Sequence, residues 1–191
     1  MNAAILLFDD VEVLDFAGPF EVFNAASFEI VTVGTKLGEI RTRGGLCIRP
    51  TQTIAEPLAS PTVLIIPGGF GTRIEMRNET VLSWLRATAA RSDIVFSVCT
   101  GSLLLAAAGA LRGLRATTHH DALDELRSAE PSCQITGDRI VDNGAIVMAA
   151  GVSSGIDGAF HVLERLAGNK TAAMTARYIE YPLSLSRITV G

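Results

Sequence analysis

Residues 94–108 read IVFSVCTGSLLLAAA: a short apolar run, then a cysteine, then a stretch of strong helix formers. This order constrains the fold more than any other segment of the chain. It predicts a strand over Ile94–Val98, a tight turn, and a helix over 102–108, with Cys99 at the bend. Strand-to-helix elbows that present a nucleophile need small residues two before and two after it, and Ser97 and Gly101 stand there. A thiol at a helix N-terminus faces free N–H groups and the positive end of the dipole, which predicts a lowered pKa. Cys99 also fits a second role, a small apolar residue buried in a core. The segment alone leaves both open.

The rest of the chain repeats the alternation. Continuous aliphatic runs predict strands over 3–8, 28–33 and Val63–Ile66, with a short strand over 115–118. Helical patterns lie over 20–26, with Pro19 in the first turn, and over 79–90, 122–128, 156–166 and 171–179. Gly44-Gly45 predicts the bend of a hairpin over 39–48. Asp142-Asn143-Gly144 predicts a second hairpin joining 139–141 to 145–149. Aliphatic strands alternating with helices imply an α/β fold, a mainly parallel sheet with helices on both faces. Ligands in such sheets bind at the carboxyl ends of the strands. Trp84 is expected to pack on its helix.

Length and composition set bounds on function. The 191 residues fit a single domain spanning 1–191, and a hydrophobic content of 48% supplies a large core. The net charge of −4, with no basic stripe, argues against nucleic-acid binding. Cys47, Cys99 and Cys133 are too widely spaced for a disulfide framework and suit a reducing compartment, Cys47 and Cys133 as structural residues. The amino terminus has no basic region, so no signal peptide is expected. Residues 94–111 carry no charge, yet polar groups at their middle suit a buried strand and helix rather than a membrane span. A cytoplasmic protein is the expectation.

Around Cys99 a constellation can be assembled. Pro67-Gly68-Gly69-Phe70-Gly71 follows a strand and lacks the spacing of a phosphate cradle. The Gly69 and Thr100 N–H groups are candidates for an anion hole beside the thiol, with Gly68 in support. Asp15 follows the first strand and is a candidate acid/base partner for Cys99. Its alternative role is a helix cap before Pro19. A buried thiol and carboxyl share a proton, which raises a pKa within the pair. Glu12 reads as a solvated loop charge. His119 and His120 would point to opposite faces of a strand, so a shared metal is not expected, and His119 is the one placed to support Cys99. Gly151-Val152-Ser153-Ser154-Gly155 matches a serine elbow, but Asp157 and His161 lie together on one helix and do not make a triad. The serines read better as a helix cap.

FDDVEVLDFAGP (8–19), IIPGGFG, SVCTGS, ATTHH and GVSSGID occur in the order found in the DJ-1/PfpI superfamily, which the chain resembles over most of its length. Asp-x-x-Gly-Pro together with Cys-Thr-Gly resembles the isonitrile hydratase branch. The resemblance implies a flavodoxin-like three-layer sandwich with a nucleophile elbow and a homodimer. It also implies a small-molecule substrate without metal or organic cofactor. It places Cys99 as nucleophile, Asp15 as acid/base, Thr100 after the nucleophile and His119 near the thiol. The implied reaction hydrates an isonitrile to an N-substituted formamide through a Cys99 thioimidate. Protease-like members carry histidine directly after the cysteine, where this chain has Thr100. Other members carry a helix-turn-helix module, for which 191 residues leave no room. The alternatives are a redox or stress protein, a glyoxalase or deglycase, and a ligand-sensing dimer without chemistry.

Overall fold

The computed structural model describes residues 1–182 and the backbone of 189–190. In chain order its elements are β1 (Asn2–Leu7), α1 (Val13–Ala25), β2 (Glu29–Gly34), β3 (Ile40–Arg41), β4 (Cys47–Ile48), β5 (Gln52–Thr53) and β6 (Val63–Ile66). Then come α2 (Thr72–Glu75), α3 (Glu79–Ala89), β7 (Ile94–Val98), α4 (Gly101–Ala107), β8 (Arg115–Ala116), α5 (Leu123–Ala129) and β9 (Gln134–Ile135). The last are β10 (Ile140–Asp142), β11 (Ile146–Ala149), α6 (Ser154–Tyr178) and β12 (Thr189–Val190).

Eight strands form the main sheet in the order β12-β10-β11-β7-β6-β1-β2-β5. Every neighbouring pair is parallel except β10 with β11. The run β2-β1-β6-β7-β11 has the flavodoxin-like order, in which the chain winds outward first to one side and then to the other. β1, β6 and β7 are wholly apolar or nearly so because both faces are covered, and their side chains are buried almost without exception. α1 packs against α6, and α4 lies between α2 and α5, forming the layers on either side of the sheet. Trp84 on α3 packs against the core as expected.

The departures from expectation have local causes. α1 begins seven residues earlier than the helix predicted from Phe20, so Pro19 lies inside it. The fixed φ of proline suits a helix, and what is lost is one N–H donor to the turn before. Asp15 is therefore in the first turn of α1 and not the cap ahead of Pro19; Glu12 holds the N-cap position, without a side-chain cap bond. β8 ends at Ala116, two residues short of the predicted strand. The second hairpin turns one residue later, with Asp142 still in β10 opposite Val147. The two helices predicted over 156–179 form α6, broken at Gly168 by a non-helical backbone. Cys47 is exposed on the first hairpin, contrary to a structural role in the core; Cys133 is partly buried, with Sγ 3.0 Å from the Leu111 carbonyl.

Candidate active site

β11, β7, β6 and β1 are side by side and parallel, so their carboxyl ends open on one rim. The four segments leaving that rim supply Val152, Cys99 with Thr100, Gly68 with Gly69, and Asp15. Residues 30 to 137 positions apart in sequence thus meet by topology alone, in the crevice where doubly wound sheets bind ligands.

Cys99 adopts a φ of 55° immediately after β7. That left-handed backbone costs a non-glycine residue on the order of 1–3 kcal/mol and persists only where neighbours enforce it. Its N–H donates to the Ala149 carbonyl at 3.0 Å. Ser102 Oγ and Thr118 Oγ1 donate to its carbonyl at 3.1 and 2.9 Å. A Cβ on Gly101 would stand 2.1 Å from the Ile66 carbonyl oxygen, which explains the small residue after the elbow.

Asp15 is fully buried. Its Oδ2 accepts the Gly68 N–H at 3.0 Å, the Cys99 thiol faces the carboxyl, and Oδ1 has no hydrogen-bond partner. Burial, aided by the charge of Glu12, raises its pKa to about 7 against the lowering effect of the Gly68 and Cys99 bonds. Gly68 lies in the narrow gap beside the pair; a Cβ there would sit 2.5 Å from the Thr100 nitrogen and 2.9 Å from Asp15 Oδ2. No larger residue fits without parting the two.

The Cys99 thiol is pushed up to about 12, first by burial and then by the Asp15 charge, while the Thr100 and Val152 N–H groups offset part of the rise. This overturns the expected lowering by the helix N-terminus. A short helix end and two amides do not outweigh loss of water and a carboxylate alongside. The resting pair is a thiol beside a carboxyl that titrates near neutrality.

The anion-hole expectation also changes. The Gly69 N–H is occupied by Thr100 Oγ1 at 2.9 Å, and that hydroxyl lies 3.1 Å from the Gly69 carbonyl, which also accepts from Thr72 Oγ1 at 2.7 Å. The side chain of Thr100 therefore fixes the glycine turn. The amides that face sulfur are those of Thr100 and Val152. Val152 has a φ of 38°, a genuine outlier for a β-branched residue, and the sequence carries no sign of it.

A cavity of about 170 Å³ gives access to Cys99, which retains 6% exposure. Phe70, Arg43 and Arg73 border it, with the Arg43 guanidinium 4.2 Å from the centre of the Phe70 ring. Glu12, expected to be a solvated charge, lines the cavity and pairs loosely with Arg43 at 3.5 Å. His119 also lines it, its Nδ1 accepting the Asp121 N–H at 3.3 Å. Thr118, Ser102, Phe70, Arg43 and Arg73 were not singled out from sequence. Thr118 and Ser102 flank motifs already recognised and were within reach of that reasoning.

Among the described residues no serine triad forms. Ser153 is at the N-cap of α6 but makes no side-chain cap bond, contrary to expectation; its Oγ accepts from Arg139 at 3.4 Å. Asp157 binds Arg139 and Tyr181, and His161 binds Asp142.

The sequence profile of the DJ-1/PfpI family matches residues 1–165. The chain belongs to the DJ-1/PfpI family. It is 36% identical to an isonitrile hydratase of Pseudomonas putida over 185 residues, covering 95% of this chain and 78% of that protein. A crystal structure of a ThiJ/PfpI family protein from Pseudomonas syringae superposes with a TM-score of 0.89 at 30% identity, covering 96% of this chain and 76% of the other. A more distant relative, protein/nucleic acid deglycase 2 of Escherichia coli, is 24% identical over 129 residues, 66% of this chain and 75% of that one. No helix among the described residues is long and apolar enough to cross a membrane.

Proposed function

We propose that this DJ-1/PfpI protein hydrates a small isonitrile to an N-substituted formamide, with Cys99 as nucleophile and Asp15 as proton carrier. The carrying observation is the buried thiol–carboxyl pair, with Asp15 raised to about 7 and paired with no cation among the described residues. Ionised Asp15 takes the thiol proton as sulfur attacks the terminal carbon of R–N≡C, then delivers that proton to the same carbon. The product is a thioimidate, R–N=CH–S–Cys99. Asp15, ionised again, draws a proton from water as its oxygen adds to the thioimidate carbon, and passes that proton to nitrogen. Collapse breaks the C–S bond, the hydroxyl proton returns to sulfur, and R–NH–CHO leaves. Water and isonitrile are consumed one for one, and no external reductant or oxidant enters. The Thr100 and Val152 amides hold the sulfur as it loses its proton. His119 borders the substrate. Similarity to the P. putida enzyme supports the same reading.

The deglycase relative motivates a second substrate class, α-oxoaldehydes. A thiol held as high as about 12 resists selective peroxide oxidation, which weighs against a redox sensor. Leu14 and Phe20 are exposed on α1, apolar surface that a second copy of the chain would cover in a homodimer.

Incubation with cyclohexyl isocyanide and with methylglyoxal in parallel decides the class. The formamide should accumulate in the first, and C99A should reduce kcat/KM by more than about 10⁴-fold, as removal of a nucleophile does. Loss of methylglyoxal without formamide would assign the protein to the second class.

A further inference from the structure

His119, His120 and Asp121 gather on the lip of the Cys99 cavity, which His119 and Asp121 both line. From sequence the two histidines were expected to diverge, as neighbours on a strand do. The chain has instead left β8 at Ala116, and a 3-10 turn over His120–Ala122 follows. The Ala122 N–H closes that turn on the His119 carbonyl at 2.8 Å. Consecutive side chains then crowd one point. The imidazole centroids are 4.3 Å apart with the rings tilted by 31°.

The Asp121 carboxylate bridges the two rings. Its Oδ2 is 3.7 Å from His119 Nδ1, and its Oδ1 is 3.2 Å from His120 Nε2. One donor atom from each residue lies within 4.8 Å of the other two. Ligands on a tetrahedral ion at bond lengths of 2.0–2.2 Å stand roughly 3.4 Å apart, and each imidazole already has one Asp121 oxygen near that separation. His119 is the fixed member: its ring abuts Gly151, where a Cβ would come within 2.8 Å of Cδ2. His120 and Asp121 are exposed and free to close around an ion. The long bond from the Asp121 N–H to His119 Nδ1 would give way to the metal, leaving an exposed amide to water.

We propose that His119, His120 and Asp121 bind a divalent transition-metal ion at the cavity mouth. Two imidazoles and one carboxylate suit zinc, cobalt or nickel, whereas calcium and magnesium take oxygen donors. Three protein ligands leave at least one position open to water or an anionic ligand. An ion held there places positive charge at the entrance to the thiol pocket, outside the hydration chemistry. The site does not depend on the isonitrile reading.

Untagged, phosphine-reduced protein titrated with Co²⁺ and followed by visible d–d absorption tests it. One ion should bind per chain, with no thiolate charge-transfer band and with unchanged affinity in C99A. H120A alters a side chain 79% exposed and should fold normally, checked by circular dichroism. It should weaken Co²⁺ binding by more than about tenfold, since even the outer partners of metal ligands contribute that much. Unchanged affinity in both H120A and D121N, a thiolate band lost in C99A or C47A, or no saturable absorption would overturn the proposal.

Discussion

Asp15 and Asp142 are shut away from water to nearly the same degree, with 0% and 7% of each residue exposed. Asp142 ends β10, where its carboxylate meets His161 at 2.6 Å, Arg165 at 2.9 Å and the Gly144 N–H at 2.8 Å. Its lone pairs are filled, two of them by basic side chains, and it clamps the β10–β11 hairpin to α6. Asp15 has one amide and a thiol. Among the described residues no cation opposes the burial, and the carboxyl is left able to hold or release a proton near neutral pH. The same residue type becomes a fastening at one end of the sheet and, in the proposed reaction, a proton carrier at the other. Partners, rather than depth, make the difference.

That contrast can be broken by exchanging each carboxyl for its neutral isostere. D15N should lower kcat/KM for isonitrile hydration by about 10²–10⁴-fold, the usual range for a lost acid/base, with the fold retained. D142N should do the reverse. Activity per folded molecule should be unchanged, while urea denaturation should show about 3–5 kcal/mol of lost stability, because Arg165 is left without its counter-charge and His161 without its carboxylate partner. Should D142N impair turnover of fully folded protein as severely as D15N, the division between the two sites fails.

A smaller effect sharpens the comparison. The native pKa of Asp15, about 7, lies above its ordinary value of 3.8, so between those values the folded chain binds more protons than the unfolded one. Its contribution to stability is therefore fully present below about pH 4 and is lost as pH rises towards 7. D15N removes that dependence. The stability of D15N relative to wild type should thus climb between pH 4 and 7, by on the order of a few kcal/mol. A flat difference over that range would mean that Asp15 titrates alike in both states.

Most of the sheet was readable because its strands are buried on both faces and appear as unbroken aliphatic runs. Val63–Ile66 and Ile94–Val98 match residue for residue. Short edge elements such as β5 have too few residues for any period to show. The start of α1 was hidden because Pro19 reads as a first-turn signal, whereas tertiary packing against α6 carries the helix back to Val13. At the site, residue identities were legible and electrostatics were not. The Cys99 elbow could be inferred from its small flanking residues. The strained Val152, whose amide faces the sulfur, could not, since positive φ at valine has no sequence signature. The sign of the thiol shift depended on how deeply Cys99 and Asp15 are buried together, a property of four chain segments at once.

The central claim is that Asp15 titrates near neutrality beside an un-ionised Cys99. Carbon-13 NMR of protein labelled at aspartate carboxyls, with the Asp15 signal assigned by its absence in D15N, measures this directly. The carboxyl should titrate with a midpoint near 7. A midpoint at the ordinary carboxylate value, with Asp15 already ionised at pH 5, would contradict the account.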